Sequence, residues 1–294
     1  MNHTILKCYL HYCHFNKRLS PHSLRAYETD LNQFLSTKNI SLAKYIDSLS
    51  KNYKKTSTLK RKIASLKSFY HYMEEEKIIS ENPFHTLRFR FRAEQTLPKT
   101  IPLHDLKSIY NYFQNKYKNK KSNFQMEKTL RNLLIVELLI STGLRISELC
   151  NLKLSNLHLQ NRTLTIIGKG RKERIIYIGN EHTISLISTY IDNFHKNQSI
   201  YLFFGQNKKE ALQEQSVRFM LKIASQKLKL NRTITPHMFR HTFATMLLDN
   251  NVDIRQIQHI LGHSSITVTQ IYTHVSQTKQ QEILTSHNPI NSVL

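Results

Sequence analysis

The sequence predicts a mainly α protein of the α+β class: a helical N-terminal body, then a helical second body carrying one small antiparallel sheet. Three observations predict it. Apolar residues recur at three- and four-residue spacing through most of the chain. The 294 residues include only six Gly, six Pro and no Trp, a composition poor in helix breakers. A clear β signal occurs in one place alone. The length suits about two domains.

The first domain is expected over residues 1–87. Ile5, Leu6, Tyr9, Leu10 and Cys13 form one apolar stripe. Ser20-Pro21 opens a second helix, with Ser as cap and Pro in the first turn, and its apolar face is Leu24, Tyr27, Leu31, Phe34 and Leu35. A short helix follows over 42–49. A fourth runs over 57–77 with Leu59, Ile63, Leu66, Tyr70 and Met73 inward, and Asn82-Pro83 stops it. Residues 88–102, with Arg88, Arg90, Arg92, Pro98, Lys99 and Pro102, read as a basic linker.

The second domain is expected over 103–294. Helices are predicted over 105–113 and 128–141, the latter burying Leu130, Leu133, Leu134 and Leu138. Between them, residues 115–123 hold Lys116, Lys118, Lys120 and Lys121 and read as a solvated loop. Residues 163–167 and 173–178 are β-branched runs flanking Gly168-Lys169-Gly170-Arg171-Lys172, which predicts a hairpin. Residues 157–159 add a third strand. Helices resume over 184–195, 213–228, 238–250, 254–261 and 266–272.

Charge narrows the function. Forty-three Lys+Arg against 20 Asp+Glu give a formal net charge of +23. That excess points to a polyanionic partner, nucleic acid before an acidic membrane surface. No apolar run approaches the roughly 18 residues of a spanning helix, and the N-terminus lacks a signal-peptide core. No membrane association and a cytoplasmic location are therefore expected. Cys8, Cys13 and Cys150 form no disulfide framework and suit a reducing compartment. Cys8, His11, Cys13 and His14 lie close in sequence but match no standard zinc spacing, so neither metal nor cofactor is expected.

Four places hold residues suited to phosphoryl transfer. In Thr142-Gly143-Leu144-Arg145, Gly143 can close one helix in a left-handed conformation, and Arg145 opens the next. Arg145 can grip a phosphate with two N–H groups, and Glu148 one turn on can orient it. Lys169, between two glycines at the hairpin tip, can reach a leaving oxygen; Arg171 and Lys172 suit phosphate contacts. In Thr235-Pro236-His237-Met238-Phe239-Arg240, the proline favours a helix start and sets His237 and Arg240 one turn apart. Last come Gly262-His263 and Ile271-Tyr272. One tyrosine among fourteen is a weak signal on its own.

Together these places resemble the tyrosine recombinases, also called phage-integrase-type recombinases. The order Arg145, Lys169, His237-x-x-Arg240, His263, Tyr272 carries the likeness. The phrases TGLRISEL, GKGRKER, TPHMFRHTFAT and LGHSSITVTQIYTHV look like Xer-type members. LSPHSLRAYETDL and RKIASLKSFYHYMEEEKIISENP look like their N-terminal core-binding (SAM-like) domain. The likeness covers nearly the whole chain. Met246 departs from it, where many relatives have His, and so does the long lysine-rich segment 115–123.

The resemblance implies conservative site-specific recombination through a 3′-phosphotyrosyl intermediate. Tyr272 would attack a DNA phosphate. Arg145 and Arg240 would hold its non-bridging oxygens, with His263 adding a hydrogen bond and His237 aiding proton transfer. Lys169 would protonate the leaving 5′-oxygen, and Glu148 would support the site. It also implies DNA contacts from Ser20, His22, Ser23 and Arg25 and from Lys60, Arg61 and Lys67. The partners implied are a double-stranded recombination site and a homo- or hetero-tetrameric synapse, with or without a second recombinase. The C-terminal segment could pack on its own domain; the resemblance favours its docking into a neighbouring subunit. The roles implied are Xer-like chromosome dimer resolution and mobile-element integration or excision. The alternatives are a type IB topoisomerase-like relaxing enzyme and a DNA-binding accessory protein without catalysis.

Overall fold

The computed structural model describes residues 3–37, 40–87, 99–119, 122–168, 173–195, 199–250, 252–262 and 277–294. The chain divides into two compact units, Met1–Thr96 and Leu97–Leu294.

The first unit is helical: α1 (His3–Phe15), α2 (Pro21–Ser36), α3 (Leu42–Asn52) and α4 (Thr56–Glu75). Serine side chains start two of these helices. The Oγ of Ser20 accepts from the Ser23 N–H and that of Ser41 from the Lys44 N–H, each satisfying a donor that the first turn leaves without a partner. The core centres on Tyr9, whose ring meets Phe69 at 5.0 Å and Tyr72 at 5.3 Å. Cys13 belongs to this core while Cys8 is exposed. Among the described residues, no group of three or more His, Cys, Asp or Glu is arranged to hold a metal.

The second unit is built around α6 (Asn123–Thr142). Every residue from 133 to 144 is buried, so the C-terminal half of this helix is enclosed on all sides rather than amphipathic. Against it lie α5 (Leu103–Lys118), α8 (Glu181–Tyr190) and α10 (Pro236–Asp249). The remaining described helices are α7 (Ile146–Cys150), α9 (Glu214–Lys227), α11 (Ile254–Leu261) and α12 (Gln277–Ser286). A π-helical turn, Ile191–His195, extends α8 as far as the sequence pattern suggested. The sheet is β1 (Leu157–His158), β2 (Thr163–Ile167) and β3 (Glu173–Tyr177), antiparallel in that order. Its register sets Leu164 opposite Ile176 and Ile166 opposite Arg174.

Two expectations change. The lysine-rich loop is much shorter, because α5 continues to Lys118 and α6 begins at Asn123. Lys116 and Lys118 close α5, where the helix dipole favours cations, and the Lys116 ammonium sits 4.7 Å from the Tyr112 ring centre. Ser122 caps α6 through the Gln125 N–H and so starts that helix earlier. At the end of the basic stretch, Ile101 is buried and its N–H donates to the Thr242 Oγ1 at 2.8 Å.

The C-terminal segment packs on its own unit. Ile283, Leu284, Ile290 and Val293 are all buried. The Asn288 side-chain amide donates to the Ser141 carbonyl at 2.8 Å, and the Gln281 amide donates to the Tyr177 hydroxyl at 2.9 Å. Gly179 leaves room for this approach; a Cβ there would lie 2.0 Å from the Leu284 carbonyl oxygen. Four apolar side chains on a polar segment gain most from the nearest apolar surface, which here is the chain's own.

Candidate active site

The site is assembled from two helix ends. At the first, α6 stops at Gly143, which takes φ +60°. A side chain there would be strained by the backbone, and its Cβ would meet the Phe243 ring at 2.6 Å. The turn delivers Arg145 to the N-cap position of α7. Glu148 folds back one turn later and takes the Arg145 backbone N–H and its Nη1, both at 2.9 Å.

The second end is the C-terminus of α11, closed by Gly262 at φ +63°. Its last carbonyls point at guanidinium groups. Leu261 accepts from Arg240 Nη2 at 2.5 Å and from Arg145 Nη1 at 3.3 Å. Gly262 accepts from Arg145 Nη2 at 3.2 Å. Arg240, on the first turns of α10, also donates to the Gly143 carbonyl at 2.9 Å. The two arginines predicted from sequence thus converge on one carbonyl, although 95 positions separate them. Helix C-termini carry partial negative charge, which draws the cations there without neutralising them.

Electrostatics show the cost of this arrangement. Burial and the nearby Arg145 charge lower the Arg240 pKa to about 10, with Glu148 opposing the shift and Arg174 adding to it. The group stays charged at neutral pH, so it holds a buried positive charge with no carboxylate among the described residues in direct contact. Burial alone would raise Glu148. The hydrogen bonds and charge of Arg174, then the bonds from Arg145, outweigh it and hold this carboxyl below its ordinary range. One anionic Glu among three arginines leaves a net positive pocket suited to an anion.

Arg174 is the residue that sequence reasoning missed. Its guanidinium straddles Glu148 with bonds of 2.9 and 2.8 Å, and its Nε donates to the Ile260 carbonyl at 3.0 Å. The signal was present: along β3, Arg174 alternates in phase with the buried Ile176, a charged residue on the covered face of a strand.

The other predicted residues divide into two groups. His237 is exposed, on the first turn of α10, with Arg240 buried one turn on. Lys169, Arg171, Lys172, His263 and Tyr272 lie outside the described residues. In the first unit, Lys60, Arg61 and Lys67 share the exposed face of α4. Arg61 is also tied to the buried Asp30, which in turn holds the buried Lys62 at 2.9 Å. Ser20 and Ser23 are taken up in the cap of α2, with their hydroxyls 3.0 Å apart, while His22 and Arg25 are exposed beside them.

Arginines held on backbone carbonyls around a net positive pocket define a protein with a site suited to an oxyanion. Comparison with known proteins gives the family. Residues 99–279 match the phage integrase family and residues 6–77 match the phage integrase N-terminal SAM-like domain. A tyrosine recombinase of Agathobacter rectalis is 44% identical over 297 residues, spanning 97% of this chain and 96% of that protein. Tyrosine recombinase XerD of Halalkalibacterium halodurans is 32% identical over 302 residues, spanning 97% of each. Among solved structures, XerH site-specific recombinase bound to palindromic difH substrate, a post-cleavage complex, shares the fold. It has a TM-score of 0.65 and 23% identity, covering 88% of this chain and 78% of that one. The chain belongs to the phage integrase family of tyrosine recombinases, and relatives matching it over nearly its whole length include proteins named XerC and XerD. It is a site-specific recombinase, an enzyme that cuts and rejoins DNA.

Proposed function

We propose that Tyr272 is the nucleophile and that Arg145 and Arg240 hold the DNA phosphate it attacks. The observation that carries this reading is the convergence of both guanidinium groups on the Leu261 carbonyl. As the phosphodiester reacts, negative charge gathers on its equatorial oxygens. Cations already aligned by carbonyls oppose that charge without reorganising. The Tyr272 oxygen would bond to phosphorus as the bond to the 5′-oxygen breaks. Lys169 would give that oxygen a proton, with His237 and His263 assisting at the phosphate. Attack by a 5′-hydroxyl then reverses the step, so rejoining needs no external energy source. A phenol has a pKa of about 10 in water, so the positive pocket also favours the attacking phenolate.

Whole-length likeness to XerC and XerD proteins supports an Xer-like role in resolving joined circular chromosomes, in the cytoplasm, on double-stranded DNA, with four protomers in the synapse. The exposed row Lys60, Arg61 and Lys67, with His22 and Arg25, is the proposed DNA face of the first unit.

The test begins with wild-type protein and sequencing of the DNA it traps covalently. Nicked suicide duplexes carrying that site should then give a covalent adduct with wild type and none with Tyr272→Phe. Full adduct from Tyr272→Phe would overturn the mechanism. Efficient relaxation of plasmids lacking the site would place the enzyme with the topoisomerase-like alternative.

A further inference from the structure

We infer that Arg174 is a positioning residue of the recombination reaction: it sets both phosphate-binding arginines without itself contacting DNA. The inference rests on the proposed roles of Arg145 and Arg240.

The geometry runs through two anchors. The first is Glu148, which receives four N–H groups: the backbone and Nη1 of Arg145 and both Nη atoms of Arg174. Glu148 is 5% exposed at its side chain and Arg174 is 10% exposed, against 33% for Arg145. Arg174 therefore lies behind the carboxylate, while Arg145 reaches the open side. The second anchor is the end of α11. Three successive carbonyls there each accept from a guanidinium: Ile260 from Arg174, Leu261 from Arg240 and Arg145, Gly262 from Arg145. Arg174 also lies flat beneath Gly262, where an added Cβ would sit 3.0 Å from its Cδ and 3.1 Å from its Nη1.

Arg174 thus fastens the same two pieces that align Arg145 and Arg240, the Glu148 carboxylate and the 260–262 carbonyl row. It does so from β3, the strand opposite β2 in the sheet. Without it, Glu148 would keep, among the described residues, only Arg145 as a cationic partner and could draw that group away from the phosphate. Lysine cannot replace it. A single ammonium cannot span both carboxylate oxygens and also reach Ile260.

The test uses the full chain and nicked suicide duplexes bearing the site that the wild-type protein traps. Adduct formation is followed in single turnover at saturating DNA, beside DNA affinity as a function of salt and the thermal midpoint. Arg174→Met and Arg174→Lys should both slow cleavage, by up to about 10²-fold, as expected when a reacting group is displaced by about an ångström. DNA affinity and its salt slope should match wild type. Combining Arg174→Met with Glu148→Gln should add little further loss, because both act through one carboxylate. If Arg174→Met is poorly folded, Arg174→Lys decides the matter.

A wild-type rate in the folded fraction of Arg174→Lys overturns the inference, and so does a lower thermal midpoint with no loss of rate. A loss carried wholly in affinity, with the salt slope reduced by about one, would make Arg174 a phosphate contact instead and also overturns it. Arg145→Met separates this inference from the reading beneath it. If Arg145→Met cleaves at the wild-type rate, the phosphate-binding assignment itself is wrong. If Arg145→Met is inactive while both Arg174 variants cleave normally, only the positioning role fails.

Discussion

Each unit buries a carboxylate among cations, and the two clusters do opposite things with their charge. In the first unit Asp30 sits between Arg61 and Lys62, with Ser65 also in reach. Lys62 is buried and meets Asp30 at 2.9 Å, with Gln33 as a second acceptor at 2.5 Å. Here the acid neutralises a buried amine and ties α2 to α4. In the second unit Glu148 serves Arg145 and Arg174, while Arg240 rests on the carbonyls of Gly143 and Leu261. A carbonyl aligns a guanidinium but leaves its charge uncancelled. The first cluster holds helices together, and the second keeps a positive field ready for a phosphate.

The largest effect is expected where charge is neutralised. Asp30→Asn leaves Lys62 buried without its anion, which typically costs about 3–5 kcal/mol. Calorimetry of the full chain should show the first unit melting much earlier while the second unit's transition stays in place. An unchanged first transition would show that Gln33 alone satisfies Lys62 and would erase the contrast between the clusters.

Arg240→Met comes next. It should lower the single-turnover cleavage rate by about 10²–10³, the usual loss for one preorganised donor to a charged transition state. The cost of burying an uncancelled charge disappears with the side chain, so stability should fall far less than for Asp30→Asn. A large loss of stability with unaltered cleavage would reverse the roles given to the two clusters.

The smallest effect concerns a third buried carboxylate, Glu137, whose partners are the Tyr110 hydroxyl and the exposed-edge His182, each at 3.0 Å. Its hydrogen bond to Glu137 raises the His182 pKa against the opposing effect of burial, with the Glu137 charge adding to the rise. A raised folded-state value means stability that is fully present below the ordinary pH of about 6.5 and lost as pH rises through the folded value. Because His182 is partly exposed, the change should stay under about 1 kcal/mol. Urea titrations from pH 6 to 8.5 should show this loss in wild type and a flatter profile in His182→Gln. Equal slopes in both would remove His182 from the account.

Much of this molecule was legible in the chain itself. The helices around Tyr9, Leu31 and Leu66 follow from apolar spacing, because a 3.6-residue period leaves a mark in any linear reading. Gly143 announced a helix stop and Arg145 the next start, and both hold. Glu148 as the partner of Arg145 was readable too, since three positions on a helix bring side chains together. The error at residues 115–118 came from treating four lysines as a loop signal, when a helix C-terminus welcomes cations.

The sequence by itself determined the local elements, the excess of positive charge and the order of motifs that marks the family. Only the tertiary structure decided which groups share partners. Arg174 lies far from Glu148 and Ile260 along the chain, and Leu261 far from Arg145, so no spacing rule could join them. Local structure follows from neighbours in sequence. Shared carbonyls and carboxylates depend on which helix ends and strands the core brings into hydrogen-bonding reach of one another, and burial sets that for the whole unit at once.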